Sequence, residues 1–177
     1  MNDIKSKLEN LTINELKEVC KELNISISDS SQNMIIELLK PLLSVQIYTG
    51  ENVKDISDKL EILMKKCWET TNIIYLLSLR YTWYVIFDDQ KLVAALGIDT
   101  DNVIWNLCVD PDYRKQGHAS NLLTHVIKDT CKQYNLVSLH VQRYMNPNYS
   151  KLIKFYQKHG FKIMNGDLTS TKLTHFC

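Results

Sequence analysis

The stretch Leu107-Cys108-Val109-Asp110-Pro111-Asp112-Tyr113-Arg114-Lys115-Gln116-Gly117-His118-Ala119-Ser120-Asn121-Leu122-Leu123 decides the fold. An apolar strand, Val103–Val109, runs into Pro111, which cannot donate to a ladder and ends the strand. A short polar loop follows. An amphipathic helix then opens at His118 and is expected to reach about Gln133. The first turn of a helix presents unpaired backbone N–H groups and the positive end of the dipole. Gly117, Ala119 and Ser120 are small, so an anion can approach those amides closely. Arg114 and Lys115 add positive charge at the same place. A glycine-requiring strand–loop–helix connection accounts for the composition equally well. If the loop is an anion site, pyrophosphate is its natural guest.

On either side of this stretch, helices and strands interleave. Val45–Tyr48 reads as a strand, and Val53–Cys67 as an amphipathic helix with Ile56, Leu60, Leu63 and Met64 on one face. Thr70–Leu79 is an apolar run that suits a helix, with a strand as the alternative. Trp83–Phe87 and Leu92–Ile98 form a hairpin about the polar turn Asp88-Asp89-Gln90-Lys91, and Val103–Val109 extends it into a meander. Leu136–Val141 is a strand and Ser150–Lys158 a helix, with Phe161–Met164 and Thr171–Phe176 as closing strands. The expected fold class is therefore α+β, with helices on the faces of a mixed sheet.

The spacing Arg114-x-x-Gly117-x-Ala119 after Leu107-x-Val109-x-Pro111 resembles motif A of the GNAT superfamily of N-acetyltransferases, Gln/Arg-x-x-Gly-x-Gly/Ala. Leu139-x-Val141, followed by Leu152-Ile153-Lys154-Phe155-Tyr156-Gln157-Lys158-His159-Gly160-Phe161, is similar to motif B of that superfamily. The likeness spans about Val45 to Phe176. No Gly-Lys-Ser/Thr triplet follows Gly117, so the loop is not a Walker A loop. Two of the three glycines of the dinucleotide fingerprint are missing.

The resemblance implies a GNAT-like mixed, mostly antiparallel sheet. It implies acetyl-CoA as co-substrate, an amine acceptor (a small molecule or a protein), and direct attack in a ternary complex. No metal is implied. Carried over by position, the backbone of Arg114, Lys115, Gln116, Gly117, His118, Ala119 and Ser120 would hold pyrophosphate. The main chain of Leu107 and Val109 would pair with pantetheine, and a backbone N–H there would polarise the thioester carbonyl. Tyr156 would be the catalytic acid that protonates the departing thiolate. Two departures stand out. An asparagine common in the family falls on Tyr149, so the cofactor contact passes to Tyr149 or to Asn148. Val103–Val109 also lacks the acid many relatives use as base. Asp99, Asp101 and His140 are candidates by location, and proton removal through ordered water is an equal alternative. Trp83, Tyr84, Trp105 and Tyr144 are candidate lining for an acceptor cleft, with core packing the default for the two tryptophans. The alternative to an active acyltransferase is a degenerate CoA-binding or scaffold protein.

Residues 1–43 are expected to form a separate unit before the transferase domain of residues 44–177, with the boundary near Pro41–Ser44. Ile13–Leu23 and Asn33–Leu43 carry helical apolar spacing, and Ile25–Ser28 lies between them as a short extended piece. Thr12 and Glu15 make a capping box. The arrangement resembles a SAP module, a small helix–extended–helix DNA-binding unit. The basic chemistry does not match: Asp29, Ser31 and Glu37 replace that family's glycine and basic residues. Five lysines stand against seven acidic residues here, a net of −2, which supplies little phosphate neutralisation. The unit is therefore read as docking a protein or packing on the transferase domain, with DNA binding disfavoured.

The 177 residues carry a net charge of +1, so no global field draws the chain to nucleic acid or a membrane surface. Met1–Leu8 shows no apolar signal segment, and no apolar run is long enough to span a bilayer. The expectation is an intracellular protein of the cytoplasm or nucleus. The five cysteines form no C-x-x-C pair, so they are expected to be buried, unbridged apolar residues rather than disulfides or a zinc site.

Overall fold

The computed structural model describes residues 8–22, 31–35, 45–68, 81–143 and 146–177. Ile25–Ser28, most of Asn33–Leu43, the Pro41–Ser44 boundary, Thr70–Leu79 and Tyr144 lie outside the described residues.

Helix α1 (Ile13–Glu22) starts on the expected capping box. The Thr12 amide donates to the Glu15 carboxylate at 2.7 Å, and the Glu15 amide reaches back to the Thr12 hydroxyl at 3.4 Å. Leu16 and Cys20 of α1 pack with Leu8 and Ile35 in a small cluster of their own. The side chain of Gln32 closes the unit by donating to the Leu11 carbonyl at 2.8 Å.

The remaining described chain forms strand β1 (Val45–Thr49), a 3-10 helix (Gly50–Ile56), helix α2 (Ser57–Cys67), strands β2 (Tyr81–Asp88), β3 (Lys91–Asp99) and β4 (Val103–Val109), a 3-10 turn (Pro111–Tyr113), helix α3 (His118–Thr130), strand β5 (Leu136–Gln142), helix α4 (Tyr149–Lys158), and strands β6 (Lys162–Gly166) and β7 (Ser170–Phe176). The single helix expected over Val53–Cys67 is thus two pieces, a tight 3-10 entry and then α2. The long helix ends at Thr130 rather than Gln133.

The seven strands form one sheet in the order β1-β2-β3-β4-β5-β7-β6. Every neighbouring pair is antiparallel except β4 and β5, which run parallel. This is the mixed, mostly antiparallel sheet that the sequence leads one to expect. Strand side chains alternate between faces, and both faces are covered. Tyr84, Ile86, Leu96 and Ile104 lie with Leu122, Leu123 and Val126 of α3 and Ile153 and Tyr156 of α4. Trp83, Val85, Ala95 and Cys108 lie with Val53 and Ile56 of the 3-10 helix and Leu60, Leu63 and Met64 of α2. Burial on both sides explains why β2 and β3 read as nearly continuous apolar runs.

Two expectations need correction. Four of the five cysteines are bridged, Cys67 to Cys108 and Cys131 to Cys177, and Cys20 is buried and free. The partners are 41 and 46 residues apart, so tertiary structure pairs them and no local spacing announces it. Trp83 is buried as expected, but Trp105 is 58 % exposed. It occupies a bulge in β4, where Gly97 opposes Asn106 and Ile98 opposes Ile104, and the bulge turns its side chain outward.

Gly97 lies directly opposite Trp83 on the neighbouring strand. A Cβ there would stand 3.0 Å from the indole, which is fully buried and has no room to retreat. Gly97→Ala should therefore destabilise the protein by about 1–3 kcal/mol through overpacking. Urea unfolding of the two proteins checks this, with a lowered midpoint expected at unchanged m-value.

Candidate functional site

The site begins with the separation of β4 from β5. The two strands pair only at Val103–Ser138 and Ile104–Leu139, and the Trp105 bulge follows at once. Beyond it, among the described residues, β4 keeps its ladder to β3 alone. The Asp110 amide donates to the Val93 carbonyl at 2.8 Å, across the pair formed by Val109 and Ala94. In an antiparallel ladder that pattern marks Val109 and Ala94 as a non-hydrogen-bonded pair. Alternation makes Leu107 and Leu96 the same kind of pair. The N–H and C=O groups of Leu107 and Val109 therefore point away from β3, into the edge that β5 has vacated. The guanidinium Nε of Arg114 donates to the Val109 carbonyl at 3.2 Å.

The loop beyond β4 is folded by Asp110. Its carboxylate is buried and accepts from Lys66 at 2.7 Å, from Lys91 at 3.1 Å and from the Asp112 amide at 3.2 Å. Burial pushes this carboxyl up, but the Lys66, Lys91 and Asp112 hydrogen bonds more than offset it and hold the group at about 2. Tyr113 anchors the same loop. Its hydroxyl bonds Asp88 at 2.9 Å, and the Lys91 ammonium stands 4.5 Å from its ring centroid. The loop is thus fastened to α2 and to the β2–β3 turn before it reaches the helix.

Lys115 (φ 63°) and Gly117 (φ 85°) both adopt left-handed backbone. A Cβ at Gly117 would meet nothing within 4 Å, so the conformation calls for glycine there and the space in front stays open. The first helical bond of α3 runs from Asn121 to the Gly117 carbonyl at 2.9 Å. The amides of His118, Ala119 and Ser120 therefore have no intrahelical acceptor. Arg114, Lys115, Gln116 and Gly117 are exposed, and His118, Ala119 and Ser120 are half-buried. Burial pushes the His118 imidazole down.

Tyr156 lies on α4, in the same core cluster on which Leu107 and Val109 pack. Phe155 and Phe161 meet its ring edge-on at 5.2 and 5.8 Å. Burial pushes its phenol up to about 12. The hydrogen bond between His159 Nε2 and the Ser120 hydroxyl, 3.1 Å, ties α4 to the first turn of α3. Asn148 precedes α4 with its side chain exposed. Tyr149 directs its hydroxyl to Thr171 at 2.6 Å, which commits that group to β7.

Among the base candidates, Asp99 is structural. Its carboxylate accepts from the amides of Asp101 and Val103, each at 2.9 Å, and from the Trp105 indole at 2.6 Å. Asp101 sits in the same turn, and His140 is exposed on β5. Sequence reasoning missed the Asp110 hub, the β4 bulge and the α3–α4 tie. Only Asp110 carried a signal, as an acid directly before the loop proline. A cavity of about 310 Å³ lined by Tyr84, Asp99, Asp129 and Tyr134 lies at the opposite end of α3, away from the loop.

A parallel pair opened beside a helix N-terminus, in a mixed seven-stranded sheet, is the architecture of the GNAT fold. Residues 80–163, a little under half of the chain, match the sequence profile of the Acetyltransferase (GNAT) domain. No curated protein matches the sequence. Among solved structures, the PaiA N-acetyltransferase of Thermoplasma acidophilum, determined with coenzyme A, superposes with a TM-score of 0.59 at 18% identity, over 76% of this chain and 99% of that one. Naa50 of Arabidopsis thaliana, in complex with the bisubstrate analogue CoA-Ac-MVNAL, gives 0.59 at 23% identity, over 76% and 99%. A GNAT family acetyltransferase of Elizabethkingia anophelis with acetyl-CoA bound gives 0.60 at 15% identity, over 76% and 99%.

Asp110→Asn should lower stability at pH 7 by about 2 kcal/mol, the linkage value of a carboxyl held at about 2 rather than 3.8. The folded value is the depressed one, so this contribution is present above pH 3.8 and is lost as pH falls toward 2. Denaturant unfolding of both proteins across that range should show the gap closing.

Proposed function

We propose that the chain is an N-acetyltransferase that moves an acetyl group from acetyl-CoA to a primary amine. One observation carries the reading. The outward-facing backbone of Leu107 and Val109 lies beside a helix N-terminus whose first amides have no intrahelical acceptor, the two anchor points an extended pantetheine pyrophosphate requires. The profile match and the coenzyme A or acetyl-CoA complexes of the structural relatives support it.

In this reading the amides from Lys115 to Ser120 hold the pyrophosphate, with charge from Arg114 and Lys115, the Arg114 amide itself being bonded to the Pro111 carbonyl. The main chain of Leu107 and Val109 aligns the pantetheine as an added strand, and a backbone N–H of that segment stabilises the developing oxyanion. The neutral acceptor amine attacks the thioester carbonyl. A C–N bond forms, the C–S bond breaks, and the amine gives up its proton to water or to a base near the cleft. Tyr156 donates its proton to the departing sulfur. Burial keeps that phenol protonated at neutral pH, and the same burial makes the leaving thiolate more basic. Asn148 is the better candidate for the cofactor contact, because the Tyr149 hydroxyl is spent on Thr171.

We further read residues 1–43 as a separate docking unit. The self-contained cluster of Leu8, Leu16, Cys20 and Ile35 supports that division, and the acidic balance favours a protein partner over DNA.

Acetyl-CoA at one hundred times its dissociation constant should raise stability by roughly 2.7 kcal/mol, read as a thermal shift. Tyr156→Phe should leave that shift intact while lowering turnover about 10²–10⁴-fold. No shift in the parent protein would favour the degenerate scaffold, and full turnover in the variant would remove Tyr156 from the mechanism.

A further inference from the structure

Cys131, His175 and Cys177 meet at the end of the sheet away from the cofactor loop. One ligand atom from each lies within 4.8 Å of the others. Cys131 follows the last turn of α3, where its amide bonds the Ile127 carbonyl at 2.9 Å. Cys177 follows β7, and its amide is held by the Asn135 carbonyl at 3.0 Å. The two Cα atoms are 5.3 Å apart. His175 is seated against Phe161, with ring centroids 5.6 Å apart, and over Gly160.

A disulfide uses the two sulfurs and leaves the histidine without a task. Yet His175 Nδ1 is buried and has no hydrogen-bond partner among the described residues. A buried imidazole nitrogen beside two sulfurs is a donor set suited to a thiophilic cation. We propose that, once its disulfide is reduced, this cluster binds a zinc-class divalent ion through Cys131, His175 and Cys177, leaving the fourth tetrahedral position to water.

The chemistry balances. Reduction of the S–S bond by a phosphine consumes one water, gives the phosphine oxide and leaves two thiols. Binding the cation releases both thiol protons, so the ligands are two thiolates and a neutral imidazole. Two negative ligands neutralise the divalent charge. Zinc–sulfur and zinc–nitrogen bonds of about 2.3 and about 2.0 Å put tetrahedral ligands roughly 3.5 Å apart. The three ligand atoms already lie within 4.8 Å of one another, close to that spacing. Disulfide and metal are then alternative clamps between the C-terminal end of α3 and β7, and oxidation expels the ion.

Cobalt(II) is the direct probe. Full-length protein reduced with a phosphine should bind one cobalt per chain, with tetrahedral d–d bands and a thiolate charge-transfer band. The spectrum should vanish in Cys177→Ser, at an exposed position that the fold tolerates, and in His175→Gln. It should persist in Cys67→Ser, which breaks the other bridge. Zinc should also shield Cys131 and Cys177, but not Cys67, from alkylation of the parent protein, a readout that needs no variant to fold. A missing spectrum in the reduced parent would overturn the proposal. So would a spectrum that survives His175→Gln, or zinc that leaves Cys131 and Cys177 as reactive as before.

Discussion

The hydrogen-bond ladder between β4 and β5 stops after Ile104 and Leu139, and the rest of the site depends on that interruption. Parallel strands ordinarily stay paired, because an unpaired buried backbone group costs free energy. Here the Trp105 bulge bends β4 exactly where the ladder ends. The groups of Leu107 and Val109 that would have met β5 instead face a cleft. A ligand laid along this edge would find the N–H and C=O of Leu107 and the N–H of Val109 facing it, the Val109 carbonyl being already bonded to Arg114.

That cleft is useful only if the helix N-terminus beside it is held still. Asp110 does this from below the loop. One buried carboxylate collects Lys66 from α2, Lys91 from the β2–β3 turn and the Asp112 amide from its own loop. Lys66 and Lys91 are thereby committed to structure, while Arg114 and Lys115 stay exposed. The first turn of α3 is fixed from the far side by the bond between Ser120 and His159, which also sets α4 and therefore Tyr156. Loop, cleft and phenol are thus parts of one frame.

Much of this was legible in the sequence. Apolar periodicity located most of the described strands and helices, and the Arg114, Gly117 and Ala119 spacing pointed to the loop. What escaped notice is non-local. The Cys67–Cys108 and Cys131–Cys177 bridges join residues that no short motif links. Trp105 looks like a core residue because the strand pattern contains it, and only the cross-strand register reveals the bulge that expels it. Asp99 looks like a candidate base by location, yet three donors already occupy its carboxylate. Tyr149 likewise has its hydroxyl committed to Thr171. Residue type announced the capacity for chemistry in each case, and the competing hydrogen bonds decided whether it was available.

The central claim is that the outward edge of β4 and the first turn of α3 together form one binding surface. Residue-resolved amide hydrogen exchange, with and without saturating acetyl-CoA, tests it most directly. Protection is expected at Leu107 and Val109 and at His118, Ala119 and Ser120 in the same titration. Protection of neither segment, or of only one of them at saturation, would contradict the account.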